Sequence, residues 1–296
     1  MIFTDGPMFG RLLTAMVTPF AEDESVDLAA AADLARYLVD DLGNDGLVVN
    51  GTTGESPTTT DAEKVDLVAT VVDAVGDRAA IVAGVGSFST RHTIEGAAAA
   101  HQAGADGLLV VTPYYSRPPQ SGLIRHFTAV ADAAELPIMI YDIPHRSSVA
   151  VATDTMIELG AHPRIAAVKD AKKDLAASAE VMAATDLLYY SGDDAMTLPL
   201  MSIGGVGVVG TSTHFSAVGT KHLIQAFLDG KNEEALALHR RLLPIYEGVF
   251  LTQGCIMVKA GLELQGRGVG GLRSPMIEAT NEQRDALAAA LAAAGL

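Results

Sequence analysis

Eight short apolar runs recur along the chain, with longer segments of helical periodicity between them. This repetition narrows the folds open to the sequence more than any single residue does. The runs are 12–18, 46–50, 80–85, 108–112, 138–143, 165–169, 187–191 and 206–210. They are apolar throughout and do not alternate, the pattern of parallel strands covered on both faces. Asp27 is placed to cap a helix in which Leu28, Ala31, Ala35, Leu38 and Leu42 share a face, with Gly43 as its stop. Asp61 opens a second helix through Val75, stopped by Gly76, and Thr90 opens a third that ends near Gly104. Eight such units in ~220 residues is the arithmetic of an α/β fold closed as a (β/α)₈ TIM barrel. A doubly wound open sheet is the alternative. It usually needs fewer units, and no GxGxxG turn stands here between a strand and a helix. After about residue 220 the strand signals stop and three helical patterns follow: 217–230, 232–264 with a break near Gly254, and 281–294. No Pro/Ser-rich linker separates them. The expected organisation is a barrel over 1–222 and a C-terminal helical appendage, 223–296, packed on it.

Composition fits a large buried core, with 49% hydrophobic and 19% charged residues among 296. The formal net charge of −16 repels phosphate backbones and anionic headgroups, so neither nucleic acid nor membrane is expected as a partner. No apolar stretch approaches the ~20 residues of a membrane-spanning helix. The start, MIFTDGPMFGRLL, lacks a basic region followed by a long apolar run, and the expected location is cytoplasmic. The single cysteine, Cys255, allows neither an intrachain disulfide nor a cysteine-based zinc cluster.

In a barrel, chemistry collects where the strands end and the loops diverge. The second strand runs into Gly51-Thr52-Thr53-Gly54-Glu55-Ser56, which reads as a carboxylate-binding nest or as an ordinary turn. The fourth ends in Thr112-Pro113-Tyr114-Tyr115, two of only 7 tyrosines, which would serve the site or cover the barrel mouth or an interface. The fifth ends in Tyr141-Asp142-Ile143-Pro144-His145-Arg146-Ser147-Ser148. Its phenol suits proton transfer, its arginine suits a bidentate carboxylate grip, and His145 reads as a loop residue. The sixth ends in Lys169-Asp170. That lysine either snorkels to solvent or points into the mouth, where low polarity favours a neutral, nucleophilic amine. The seventh ends in Ser191-Gly192-Asp193-Asp194. Adjacent aspartates invite a metal reading, but no partner spacing supports one, and a helix cap suits one of them better. The glycines at 204, 205, 207 and 210 allow close approach of a ligand, tight barrel packing or a phosphate site.

GTTGES, TPYYSRP, YDIPHRS, VKDA and SGDD, in this order and spacing, resemble the dihydrodipicolinate synthase family, relatives of N-acetylneuraminate lyase and other class I pyruvate aldolases. The likeness spans nearly the whole chain, least tightly in the C-terminal helices. It implies that Lys169 forms an imine with pyruvate, that Tyr141 donates and accepts protons, and that Thr52 and Tyr115 complete a relay. Tyr115 would come from a neighbouring subunit, and the implied assembly is a homotetramer built as a dimer of dimers. Thr53 and the backbone at Val209 would hold pyruvate, Gly192 joins the substrate-binding residues, and Arg146 would grip the carboxylate of aspartate semialdehyde. The resemblance calls for no cofactor and no metal. Arg146 and the Thr52–Tyr115 pair favour the synthase over a sugar-acid aldolase, and the full relay argues against a non-catalytic pyruvate-binding regulator.

The chain departs from the family at His145 and Ser148, at Gln253-Gly254-Cys255 and at Ser212-Thr213-His214. These departures leave room for another aldehyde. Asp61, Lys64, Phe88 and His92 stand where lysine-inhibited members bind the end product, which implies weak or absent feedback by L-lysine.

Overall fold

The computed structural model describes residues 6–296. The first five residues, part of the segment read as lacking a secretory signal, lie outside the described residues. Eight parallel strands close into a barrel in sequence order, with β1 pairing to both β2 and β8. They are β1 (Leu12–Ala15), β2 (Gly46–Val49), β3 (Ala80–Gly84), β4 (Gly107–Val111), β5 (Ile138–Asp142), β6 (Ile165–Asp170), β7 (Leu188–Ser191) and β8 (Gly207–Gly210). Around them run α1 (Leu28–Arg36), α2 (Asp61–Val75), α3 (Thr90–Gln102), α4 (Gln120–Ala133), the short α5 (Pro144–Ser147), α6 (Thr153–Gly160), α7 (Leu175–Ala184), α8 (Thr197–Met201) and α9 (Thr213–Leu228). Then come α10 (Asn232–Gly248), α11 (Gly254–Leu264) and α12 (Asn281–Ala294). α10 packs on both α9 and α12, and α12 also packs on α11.

The eight predicted strands are all present, most ending earlier than their apolar runs. Run 12–18 loses its last three residues from the ladder, yet Met16 and Val17 stay in the core. An apolar run marks burial, and burial continues into the loops at this end of the barrel. The helix starts follow their caps. Asp27 accepts from the Ala30 amide. α2 opens at Asp61 as expected, behind Thr60, which forms a reciprocal capping box with Glu63. Past Arg36 the first helix widens into a π turn over Tyr37–Asp41 before Gly43 at φ 73° ends it.

Side chains alternate across each strand, and this fixes what reaches the barrel interior. In β5, Met139 and Tyr141 point into the interior cluster while Ile140 joins the outer layer beneath the helices. In β6, Ala167 points in and Val168 points out, so the alternation turns Lys169 inward. Register sets Tyr141 beside Lys169 and Lys169 beside Tyr190. Phe9 and Tyr190 belong to the same interior cluster, and the Tyr190 hydroxyl donates to the Gly10 carbonyl at 2.9 Å. The strand-8 glycines serve packing. A Cβ on Gly207 would lie 1.9 Å from the Arg11 carbonyl oxygen, and one on Gly210 would lie 2.7 Å from an Asp194 oxygen.

Candidate active site

A cavity of about 370 Å³ opens at the C-terminal ends of the strands. Its walls bring together Thr52, Thr53, Tyr141, Arg146, Lys169 and Gly192 from the C-terminal ends of four strands, β2, β5, β6 and β7, and the segments that follow them. Two residues expected in the site are not on its walls. Val209 has its side chain in the barrel interior, two positions before Thr211, which does line the cavity. Tyr115 stands at φ 70° on the β4–α4 loop, 92% exposed. Its neighbour Tyr114 packs edge-on against Phe88, with ring centroids 5.5 Å apart, over a different cavity.

Lys169 does not snorkel. It is 5% exposed, and its Nζ lies 4.3 Å from the centroid of the Tyr141 ring. Among the described residues no carboxylate forms an ion pair with it. Burial brings its ammonium down to about 8, Asp194 opposes that shift and the Arg146 charge adds to it. A group of that acidity is roughly one-tenth neutral amine at pH 7, enough to act as a nucleophile toward a carbonyl. Gly192 makes room for this side chain. A Cβ there would crowd Lys169 Cγ, the Ala171 Cβ and the Asp170 carbonyl, all at 3.1 Å.

Burial pushes the Tyr141 phenol up to about 12, against the pull of the Arg146 charge and of the nearby Thr52 hydroxyl. Tyr141 therefore stays a proton donor across the physiological range and passes its proton on only through a partner. Thr53 Oγ1 lies 3.4 Å from Thr211 Oγ1, a contact that ties the loop after β2 to the loop after β8.

Both aspartates after β7 are occupied by hydrogen bonds, Asp193 as a helix cap. Asp193 accepts from the Ala195 amide at 3.0 Å, and Asp194 accepts from the amides of Thr211 at 3.1 Å and Ser212 at 3.0 Å, as well as from the Ser212 hydroxyl at 2.5 Å. The sequence reading assigned a cap to one of them, and that one is Asp193, while Asp194 ties the loop after β7 to the loop after β8. Among the described residues no group of three or more His, Cys, Asp or Glu is arranged to hold a metal.

The rim carries the Arg146 guanidinium. Arg146 and His145 are exposed on α5, and Lys173 pairs with Asp193 at 2.5 Å. Burial lowers the His145 pKa, and the charges of Arg146 and Lys173 lower it further. Cys255, at the start of α11, also lines the cavity, but burial pushes its thiol up to about 11, so it is not a thiolate at neutral pH. Sequence reasoning missed Lys173 and Thr211, and it missed Tyr246 near the end of α10 and Phe250 just after it. Thr211 directly follows a strand and was open to the same strand-end argument as the others. Tyr246 and Phe250 reach the cavity only because α10 packs back over the mouth, which no local pattern encodes.

The model of the dihydrodipicolinate synthetase family matches residues 8–294. The 4-hydroxy-tetrahydrodipicolinate synthase of Acidothermus cellulolyticus is 60% identical over 287 residues, 97% of this chain and 93% of that one. The solved dihydrodipicolinate synthase of Cyanidioschyzon merolae, with lysine bound, superposes with a TM-score of 0.95 at 41% identity, covering 98% of this chain and 99% of that one. The chloride-inhibited enzyme of Acinetobacter baumannii, complexed with pyruvate, does so with a TM-score of 0.93 at 31% identity, covering 97% of this chain and 99% of that one. A family match across all but the ends, a barrel that superposes over nearly its whole length and a lone buried lysine at its mouth agree: the chain belongs to the dihydrodipicolinate synthetase family.

Proposed function

We propose that this protein is a 4-hydroxy-tetrahydrodipicolinate synthase that condenses pyruvate with L-aspartate 4-semialdehyde through an imine on Lys169. The observation that carries the reading is the unpaired amine of Lys169, buried 4.3 Å over the Tyr141 ring in a cavity shared with Thr52, Thr53 and Arg146. The neutral amine adds to C2 of pyruvate, and water leaves with a proton supplied by Tyr141. Loss of a C3 proton gives the enamine, which attacks the aldehyde carbon of the second substrate while the new alkoxide takes up a proton. The substrate's own amine then adds to the imine carbon and displaces Lys169 as the ring closes.

Thr53, the backbone at Val209 and the space at Gly192 serve pyruvate in this reading. Thr52 and Tyr115 link Tyr141 to solvent, and Arg146, exposed at the rim, takes the aldehyde's carboxylate. The 92% exposure of Tyr115 in a single chain supports a homo-oligomer in which the neighbouring subunit supplies it. We take that assembly to be a tetramer, a dimer of dimers, working in the cytoplasm. No described helix is long and apolar enough to cross a membrane.

Borohydride reduction in the presence of pyruvate, followed by peptide mass mapping, tests the imine, and turnover with aspartate semialdehyde tests the second substrate. The expected results are a reduced pyruvate adduct on the Lys169 peptide and a cyclic product. Cleavage of a sugar acid, with no ring formed, would replace the synthase by another class I pyruvate aldolase. Pyruvate binding with no adduct would replace it by a regulator.

A further inference from the structure

The fold holds a second buried lysine that the imine chemistry does not use. Lys259 on α11 sets its Nζ 2.8 Å from a Glu55 carboxylate oxygen, with side-chain exposures of 4% and 2%. The same ammonium donates to the Gly271 carbonyl at 2.5 Å and lies 4.3 Å from the centroid of the Phe20 ring. The other Glu55 oxygen accepts from the Arg273 amide at 3.1 Å. The Arg273 guanidinium donates to the Thr58 carbonyl at 2.9 Å and pairs with Glu63 at 2.5 Å. Charges almost wholly withdrawn from water thus fasten α11, and the segment after it, onto the turn that carries Thr52 and Thr53.

Glu55 lies two residues beyond Thr53 and stands at φ 56°, a left-handed conformation that a glutamate adopts only when its surroundings hold it there. Between them, Gly54 fits so closely that a Cβ would come within 3.1 Å of the Met16 carbonyl oxygen, and the Thr18 hydroxyl donates to the Gly54 carbonyl at 2.6 Å. The turn is therefore gripped immediately after the substrate-facing threonines. A buried ion pair contributes little more stability than apolar side chains of equal volume would. Its location beside the substrate loop suits geometry better than stability.

We infer that Glu55 and Lys259 are positioning residues for the reaction: their ion pair holds the 51–56 turn so that Thr52 meets Tyr141 and Thr53 meets Thr211. Neither residue touches substrate; both act through the turn. The inference rests on the pyruvate reading above.

The full-length Glu55→Gln, Lys259→Met and Glu55→Gln/Lys259→Met variants test it, each compared with the parent for thermal midpoint, kcat, KM for both substrates and the rate of borohydride-trappable imine formation. Each single variant is expected to raise KM for pyruvate by about tenfold and to slow imine trapping, while KM for the aldehyde stays within about twofold. The double variant, with no charge left unpaired, is expected to regain the parent's thermal midpoint but not its KM for pyruvate. A single variant that folds with parental pyruvate kinetics overturns the inference. So does a double variant that regains thermal midpoint and pyruvate KM together, and the double decides the matter if the singles do not fold. A parent that traps no pyruvate removes the pyruvate reading and this inference with it, whereas a trapping parent with unchanged variants removes the positioning role alone.

Discussion

Lys169 and Lys259 are each 5% exposed, yet their surroundings differ. Burial pulls both ammonium groups down. At Lys259 the Glu55 carboxylate opposes that pull from 2.8 Å, and a carbonyl and an aromatic ring complete the coordination of the charge. At Lys169 the nearest help comes from Asp194, whose oxygens are already taken by the Thr211 and Ser212 amides and the Ser212 hydroxyl. Depth alone therefore does not make a lysine nucleophilic. The same depth with a dedicated carboxylate makes a clamp, and without one it makes an amine that is partly neutral at working pH.

Substitution of each lysine by methionine is the sharpest way to break this contrast. Lys169→Met removes the nucleophile, so kcat is expected to fall by something on the order of 10⁴–10⁶-fold, with no pyruvate adduct trapped. The same change removes an uncompensated buried charge, so the folded state should gain stability. The sign follows from linkage. The folded pKa, about 8, lies below the unfolded value, so the unfolded chain binds more protons between about 8 and 10.4 and the parent's stability rises with pH across that window. The stability advantage of Lys169→Met should therefore be full below pH 8 and shrink above it in urea titrations. A variant that retains turnover, or that unfolds more readily than the parent at pH 7, contradicts the assignment.

Lys259→Met is expected to do the reverse. It leaves Glu55 buried without its cation, and breaking a buried pair in this way costs about 3–5 kcal/mol. Denaturant unfolding measures that loss, while mass mapping should still find pyruvate trapped on Lys169. An adduct that migrates to Lys259, or a stability loss below about 1 kcal/mol, would erase the distinction between the two sites.

A smaller effect separates them by pH. Because Lys169 must shed a proton before it attacks, kcat/KM for pyruvate should rise about tenfold per pH unit on the acid side and level off near pH 8. Tyr141, pushed up to about 12, remains protonated throughout that range and should leave no limb of its own. A profile still rising well above about pH 8 would mean an unperturbed amine, and one flat between pH 6 and about 8 would place the nucleophile elsewhere.

The two lysines were also unequally visible in the sequence. Lys169 ends an apolar run, and two-residue alternation from Ala167 turns it inward, so its place was legible from one strand and a barrel closure. Thr52, Thr53, Tyr141, Arg146 and Gly192 follow by the same strand-end argument. Lys259 sits mid-helix in GCIMVKAGLEL, 204 positions from Glu55, where it reads as one cation on an apolar helix. Its meaning depends on how α11 lands against the β2 loop. Such a landing is a property of tertiary packing, to which helical periodicity contributes only the face. The π turn after Arg36 was invisible for a related reason: one extra residue of helix slack leaves the amphipathic pattern intact. Tyr246 and Phe250 show the same limit, since the packing that lays α10 over the mouth is not written into their own segment.

The last expected effect is close to zero, and it tests what the Lys259 clamp teaches about any lysine ammonium. A buried ammonium here is held by a carboxylate free to face it, a carbonyl and a ring. Free L-lysine would need equivalents in the cavity of about 680 Å³ beside Tyr114. That cavity offers Asp61, but Asp61 already faces His92 at 2.9 Å and Lys64 at 3.6 Å. Glu95, on the same walls, is exposed and so interacts through high dielectric. Phe88 adds an aromatic face where no charge compensation is available. His92 and Lys64 already occupy Asp61 and the Lys64 charge repels an incoming ammonium, so low-millimolar L-lysine should leave the steady-state rate unchanged. Full inhibition in that range would mean that His92 and Lys64 give way to the ligand. His92→Glu, which adds a carboxylate at that wall and removes a side chain that competes for Asp61, should be the change that creates lysine sensitivity if the clamp's rule holds, measured as a fall in half-maximal inhibitory concentration relative to the parent.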